Sequence, residues 1–189
     1  MQKIEIKAVK RENLGKTATK QLRKNEEVPC VVYGGKEVVH FNVSENEFRK
    51  LLYTPNVYLV NLNVSGTKYD AIIKDLQFHP VTDKLLHVDF FQISEDKPIT
   101  IEIPVKLEGL AEGVKAGGKL QLEQRKLRVK GLAKNVPDEL MINISNLGLG
   151  KSIQVGQLDF PNLELLNAKN SVVVSVKLTR AARAAQQKG

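Results

Sequence analysis

Alternation of apolar and polar residues dominates the chain. Residues 2–9, 28–33, 37–43, 57–64, 68–78 and 85–93 are rich in Val, Ile, Tyr and Phe, and the spacing predicts six strands. Two helical intervals interrupt them. Thr17–Lys24 places Ala18 and Leu22 four residues apart, on one face of a helix. Ser44–Tyr53 opens with Ser44 three residues before Glu47, the spacing of a capping box. Ser65-Gly66 joins two strands in the manner of a two-residue hairpin. From about residue 97 the pattern is again strand-rich, over 98–108, 119–131, 140–144 and 171–178, and nothing resembles the βαβ alternation of a parallel sheet. The predicted fold class is therefore mainly β with a few helices. Ser94-Glu95-Asp96-Lys97-Pro98 is short, polar and ends in proline, so the chain reads as residues 1–93, a linker at 94–98, and a second, mostly β unit at 99–179. The end of the chain, TRAARAAQQKG, has no apolar face; 180–189 reads as a disordered basic tail carrying Arg180 and Arg183.

Composition narrows the function. No apolar run approaches the roughly 20 residues that span a bilayer, and MQKIEIKAVKREN has no continuous apolar stretch of the kind a secretory signal needs. Cys30 is the only cysteine, which excludes an internal disulfide and a cysteine-based zinc site. These features place the protein in the cytoplasm. With 29 Lys and Arg against 21 Asp and Glu the chain carries a formal charge of +8, which favours an anionic partner, nucleic acid first. Residues 1–24 hold eight bases against two acids.

The candidate chemistry follows from that end of the chain. Gly15-Lys16-Thr17 looks like the close of a phosphate-binding loop, but the pattern needs glycine five positions earlier, where this chain has Lys10. The same residues read better as an RNA face: opposite Ala18 and Leu22, the helix presents Lys16, Lys20 and Arg23, with Thr19 beside them, to successive phosphates. On the strands, Leu86, Val88 and Phe90 should face inward and leave His87 and Asp89 outward. Likewise Leu76 and Phe78 should leave Asp75, Gln77 and His79 on the opposite face. Tyr33, just before Gly34-Gly35, offers a ring for stacking and a hydroxyl. Aromatic, amide, imidazole and carboxylate groups beside a basic helix are what the reading of base edges uses; a solvated polar surface would also carry them. A hydrolase built on His87 and Asp89 would need a nucleophile or metal, while a metal-free general acid–base enzyme stays open. No serine sits in an elbow motif, and His40, His79 and His87 lack metal-ligand spacing.

The segments GKTATKQLRK at 15–24, VPCVVYGGKE at 28–37 and LQFHPVTDKLLHVDFFQI at 76–93 resemble bacterial large-subunit ribosomal protein family twenty-five. EGVKAGG at 112–118 and VPDELMINISNLGLGKSIQVGQL at 136–158 resemble the extra C-terminal domain of its two-domain form, the general stress protein Ctc type. The resemblance implies a six-stranded β-barrel-like N-terminal domain with helices, followed by a mostly β C-terminal domain. It implies a non-catalytic protein that binds 5S rRNA in the central protuberance of the 50S subunit, beside the proteins there. No cofactor, metal, membrane or small-molecule substrate is implied. The family's RNA contacts fall on Lys16, Thr19, Lys20, Arg23, Tyr33, Gln77, His87 and Asp89, with Arg11 and His79 in matching motifs. This chain departs from the pattern at Thr19, Lys20 and Gln21, where serine, arginine and a base are common; lysine keeps the charge but loses the bidentate fork. Asn143 and Lys151 stand where acids are usual, which argues against a metal site there. Two alternatives stay open: a stress-response RNA binder acting off the ribosome, and a small hydrolase built on His87 and Asp89.

Overall fold

The computed structural model describes residues 2–35, 37–54, 56–94 and 97–180. The chain divides into two compact units between Lys97 and Pro98. Two residues of the polar boundary segment, Glu95 and Asp96, and the tail beyond Arg180 lie outside the described residues.

The first unit is a closed six-stranded barrel in the order β1-β3-β2-β6-β5-β4. Its strands are β1 (Gln2–Lys10), β2 (Glu27–Tyr33), β3 (Val39–Ser44), β4 (Tyr58–Val64), β5 (Thr67–Phe78) and β6 (Leu85–Gln92). Closure removes both sheet edges, and with them the unpaired backbone groups an edge would expose. Two pairings are parallel, β1 with β4 (Ile6↔Leu62) and β2 with β6 (Val32↔Phe90). Val64 and Thr67 pair across Ser65 and Gly66, both at positive φ (48° and 96°), the geometry of a type I′ hairpin. Alternate residues point inward, so Ile6, Val28, Cys30, Val32, Phe41, Val60, Leu62, Val88 and Phe90 fill the interior.

Two helices lie on the barrel. Helix α1 (Lys16–Lys24) begins one residue earlier than the spacing predicts. The second helical interval is a 3-10 turn, Glu45–Phe48, that runs into the single turn of α2 (Arg49–Leu52). Ser44 makes no side-chain cap there, so the capping box expected at Ser44 and Glu47 does not form. What the turn does instead is bury Phe48 completely, 6.3 Å from the ring of Phe90, which also lies 5.7 Å from Phe41.

The second unit holds two sheets. One runs β10-β7-β9-β12, from β7 (Ile99–Glu108), β9 (Lys126–Gly131), β10 (Leu140–Asn143) and β12 (Glu164–Leu165). The other runs β11-β13-β8, from β8 (Lys119–Leu122), β11 (Ser152–Gln154) and β13 (Val172–Lys177). The single strand expected over 119–131 is thus two strands in different sheets, broken at 123–125. The strands β11 and β12 and the short helix α3 (Glu112–Lys115) lack the length that a periodic pattern needs to show itself. Val173 and Val174 are consecutive and both fully buried, as befits a central strand covered on both faces.

Burial of Cys30 gives a direct probe of the first unit. Removal from water pushes its thiol far above the ordinary range; Arg11 opposes this and Asp89 adds to it. The thiolate is the reactive species, so Cys30 is expected to label with a maleimide only as fast as the barrel opens. Labelling in native buffer as fast as that of the unfolded chain would contradict a closed, packed barrel.

Candidate nucleic-acid interface

The outward face of β5 and β6 is shaped by two irregularities. In their antiparallel register Ile73 pairs with Phe90 and Asp75 with Asp89, so Lys74 is skipped; Gln77 pairs with His87 and Phe78 with Leu85, so Leu86 is skipped. Each extra residue is a β-bulge, which re-aims the side chains next to it. Between the bulges Leu76 and Val88 turn toward the core, and Asp75, Gln77, Asp89 and His87 form two facing pairs on the outside. The bulges also correct two expectations. Leu85 is buried (4 % exposed), whereas Leu86 is only half-buried, because the extra residue inverts the alternation there. Phe78, past the bulge, is 45 % exposed instead of facing inward.

His87 Nδ1 lies 2.8 Å from Asp89 Oδ1. The carboxylate fixes the ring: Nδ1–H donates to it, and Nε2 is directed away as an acceptor when the ring is neutral and a donor when it is charged. Tyr33 ends β2 and pairs with Phe91 in the parallel ladder, their rings edge-on at 5.8 Å. Burial, then Asp89 and Asp75, raise the Tyr33 hydroxyl above its usual range, so it remains a protonated donor. The chain leaves Tyr33 through Gly34 at φ 94°, where a Cβ would lie 2.6 Å from the Phe91 ring; glycine lets the loop pass over that ring.

Helix α1 contributes differently from residue to residue. Lys16 and Lys20 are exposed. Thr19 Oγ1 donates to the Gly15 carbonyl (2.8 Å) and accepts from Arg11 Nη2 (3.3 Å), which also donates to the Asn13 carbonyl (3.2 Å). Arg11 and Thr19 therefore hold the loop that leads into the helix. At the other end, Arg23 Nε and Nη2 donate to the Leu86 carbonyl at 3.1 and 2.9 Å. His79 is a turn organiser: its Nδ1 accepts from the N–H groups of Val81 and Thr82 (3.3 and 3.2 Å), which puts the ring hydrogen of the neutral form on Nε2. Of the ten candidate residues, then, Tyr33, Gln77, His87 and Asp89 gather on the sheet and Lys16 and Lys20 stand on the helix. Arg11, Thr19, Arg23 and His79 are engaged in internal hydrogen bonds.

Sequence reasoning turns Asp75 outward without naming it a contact; the register sets it directly opposite Asp89. A signal existed: Ile72-Ile73-Lys74-Asp75 and Leu85-Leu86 each break strict alternation, as a bulge requires. Among the described residues no group of three or more His, Cys, Asp or Glu side chains is arranged to hold a metal ion.

Comparison with known proteins agrees with this architecture. Residues 6–90 match the Ribosomal L25p family, and residues 98–180 match the C-terminal domain of ribosomal protein TL5. The chain is 57 % identical over 190 residues to the large ribosomal subunit protein bL25 of Bacteroides fragilis, covering 98 % of this chain and 97 % of that one. It is 59 % identical over 184 residues to the bL25 of Azobacteroides pseudotrichonymphae, covering 97 % of each. To the bL25 of Porphyromonas gingivalis it is 53 % identical over 190 residues, covering 100 % and 99 %. With identity of this order along nearly its whole length, the chain belongs to the ribosomal L25p family, a family of ribosomal proteins and not of enzymes.

Proposed function

We propose that the protein is a structural component of the large ribosomal subunit, associated with the ribosome in the cytoplasm, and that residues 1–93 bind 5S rRNA in the central protuberance. The observation that carries this reading is the outward grid of Asp75, Gln77, His87 and Asp89, set beside Tyr33 and joined to the basic helix through Arg23. The names of the relatives, all large-subunit proteins, support it.

The division of labour is physical. Lys16 and Lys20 neutralise phosphates, a contact indifferent to sequence. The grid offers an amide with donors and acceptor, an imidazole, two carboxylates and a phenol, a set that hydrogen-bonds to base edges. An A-form helix presents its wide minor groove to such groups and hides its major groove, so an RNA helix with a distorted internal loop suits this face best.

Two measurements test the reading. The full chain should co-sediment with 50S subunits and bind 5S rRNA in preference to a random RNA of equal length. Lys16→Ala and Lys20→Ala should each weaken binding to both RNAs alike, and each should flatten the slope of log K against log salt by about 0.7–0.9. Equal affinity for the two RNAs would remove the specific target. Selective RNA binding with no association to 50S subunits would favour an RNA binder acting off the ribosome.

A further inference from the structure

Arg23 joins the helix to the sheet, and the way it does so assigns it a role. Leu86 has no Cα partner in the register of either neighbouring strand: the β5–β6 pairing skips it, and the β2–β6 ladder starts at Cys30↔Val88. The residue before Cys30 on β2 is Pro29, which has no N–H to offer a neighbour. Outside both ladders, the Leu86 carbonyl takes two donors from a single guanidinium, Nε at 3.1 Å and Nη2 at 2.9 Å. A charged planar fork holds an acceptor in direction as well as in distance. That carbonyl belongs to the peptide plane that begins His87. With that plane held and His87 kept extended by its pairing with Gln77, the side chain leaves the backbone in one direction, within 2.8 Å of Asp89.

We infer that Arg23 is a positioning residue, which acts on RNA recognition through the Leu86–His87 peptide and does not serve mainly to neutralise a phosphate. The inference rests on the base-reading role of His87 proposed above. The guanidinium thus ties the last turn of α1, the helix that carries Lys16 and Lys20, to the bulge in β6. Lysine at position 23 keeps the charge and cannot reproduce the fork.

The test compares the full-length wild type with Arg23→Lys, Arg23→Gln, His87→Ala and the Arg23→Lys/His87→Ala pair. Affinity is measured for 5S rRNA and for a random RNA of equal length across a range of salt. The imidazole resonances of the RNA-free proteins are recorded alongside; with three histidines in the chain, the signal lost in His87→Ala identifies His87. Arg23→Lys and Arg23→Gln are expected to lose roughly tenfold in discrimination, within the range of one base contact. Their salt slope should stay at the wild-type value, and the His87 signals should move even without RNA. The pair should discriminate no worse than His87→Ala alone, since both changes break the same element. Wild-type discrimination in Arg23→Lys, together with a slope flattened by about 0.7–0.9 in Arg23→Gln, would make Arg23 a phosphate contact and overturn the inference. Should the wild type itself fail to prefer 5S rRNA, the proposed function fails; the His87 resonances still decide the positioning, and unmoved signals in Arg23→Lys reject it.

Discussion

Phe90→Ala is expected to lower the unfolding free energy of the first unit by about 3–5 kcal/mol, the usual cost of emptying a fully buried aromatic site. Phe90 is fully buried and packs against Phe41 from β3 and Phe48 from the 3-10 turn, so its loss leaves a cavity bounded by two strands and a turn. Relaxation into that space would require a closed barrel to change radius, which its strand number and register resist. The composition provides a selective reporter. The chain has no tryptophan, and its four tyrosines, Tyr33, Tyr53, Tyr58 and Tyr69, all precede Lys97. Tyrosine fluorescence in denaturant therefore follows the first unit alone, while far-ultraviolet circular dichroism follows both. Phe90→Ala should shift the fluorescence midpoint strongly. Val174→Ala, in the centre of β13, should shift only the part of the dichroism transition that fluorescence does not see. Coincident shifts for both variants would mean that the two units unfold as one, against a domain boundary at 94–98.

How far the sequence reveals this architecture depends on the length of each repeating pattern. The barrel strands run six residues or more, long enough for a period of two to stand out, and Ser65-Gly66 carries its turn type in its chemistry. Strands of two or three residues, such as Glu164–Leu165 and Ser152–Gln154, are specified by their tertiary partners and leave no periodic trace. Ser44 and Glu47 have the spacing of a capping box, yet burial of Phe48 outweighs a local cap. The site was legible as a set of outward residues but not as a grid. Bulges at Lys74 and Leu86 decide which of those residues face each other, and a bulge depends on two strands at once. The engagement of Arg23 with a backbone carbonyl 63 positions away is beyond any local pattern.

The face with the most at stake is the one where stability and recognition pull apart. Asp75 and Asp89 are direct cross-strand partners, and like charges so placed destabilise a sheet. Asp89→Asn removes that repulsion, and its amide oxygen still accepts from His87 Nδ1–H. The variant is therefore expected to be as stable as the wild type or slightly more so by tyrosine fluorescence, while losing part of its preference for 5S rRNA. His87→Ala should lose more, about 1–3 kcal/mol of discrimination, because it removes the proposed Nε2 contact and also leaves the Asp89 carboxylate without its hydrogen-bond donor. Such a trade, a residue that costs fold stability and supports binding, is the mark of a functional position. The reverse order, with Asp89→Asn the more damaging, would show that Asp89 itself contacts the RNA and that His87 serves to orient it. Intact RNA after incubation is expected with every variant, since the relatives are ribosomal proteins and not enzymes. Cleavage by the wild type that vanishes in His87→Ala would instead make the His87–Asp89 pair an acid–base catalyst and end the binding-only reading.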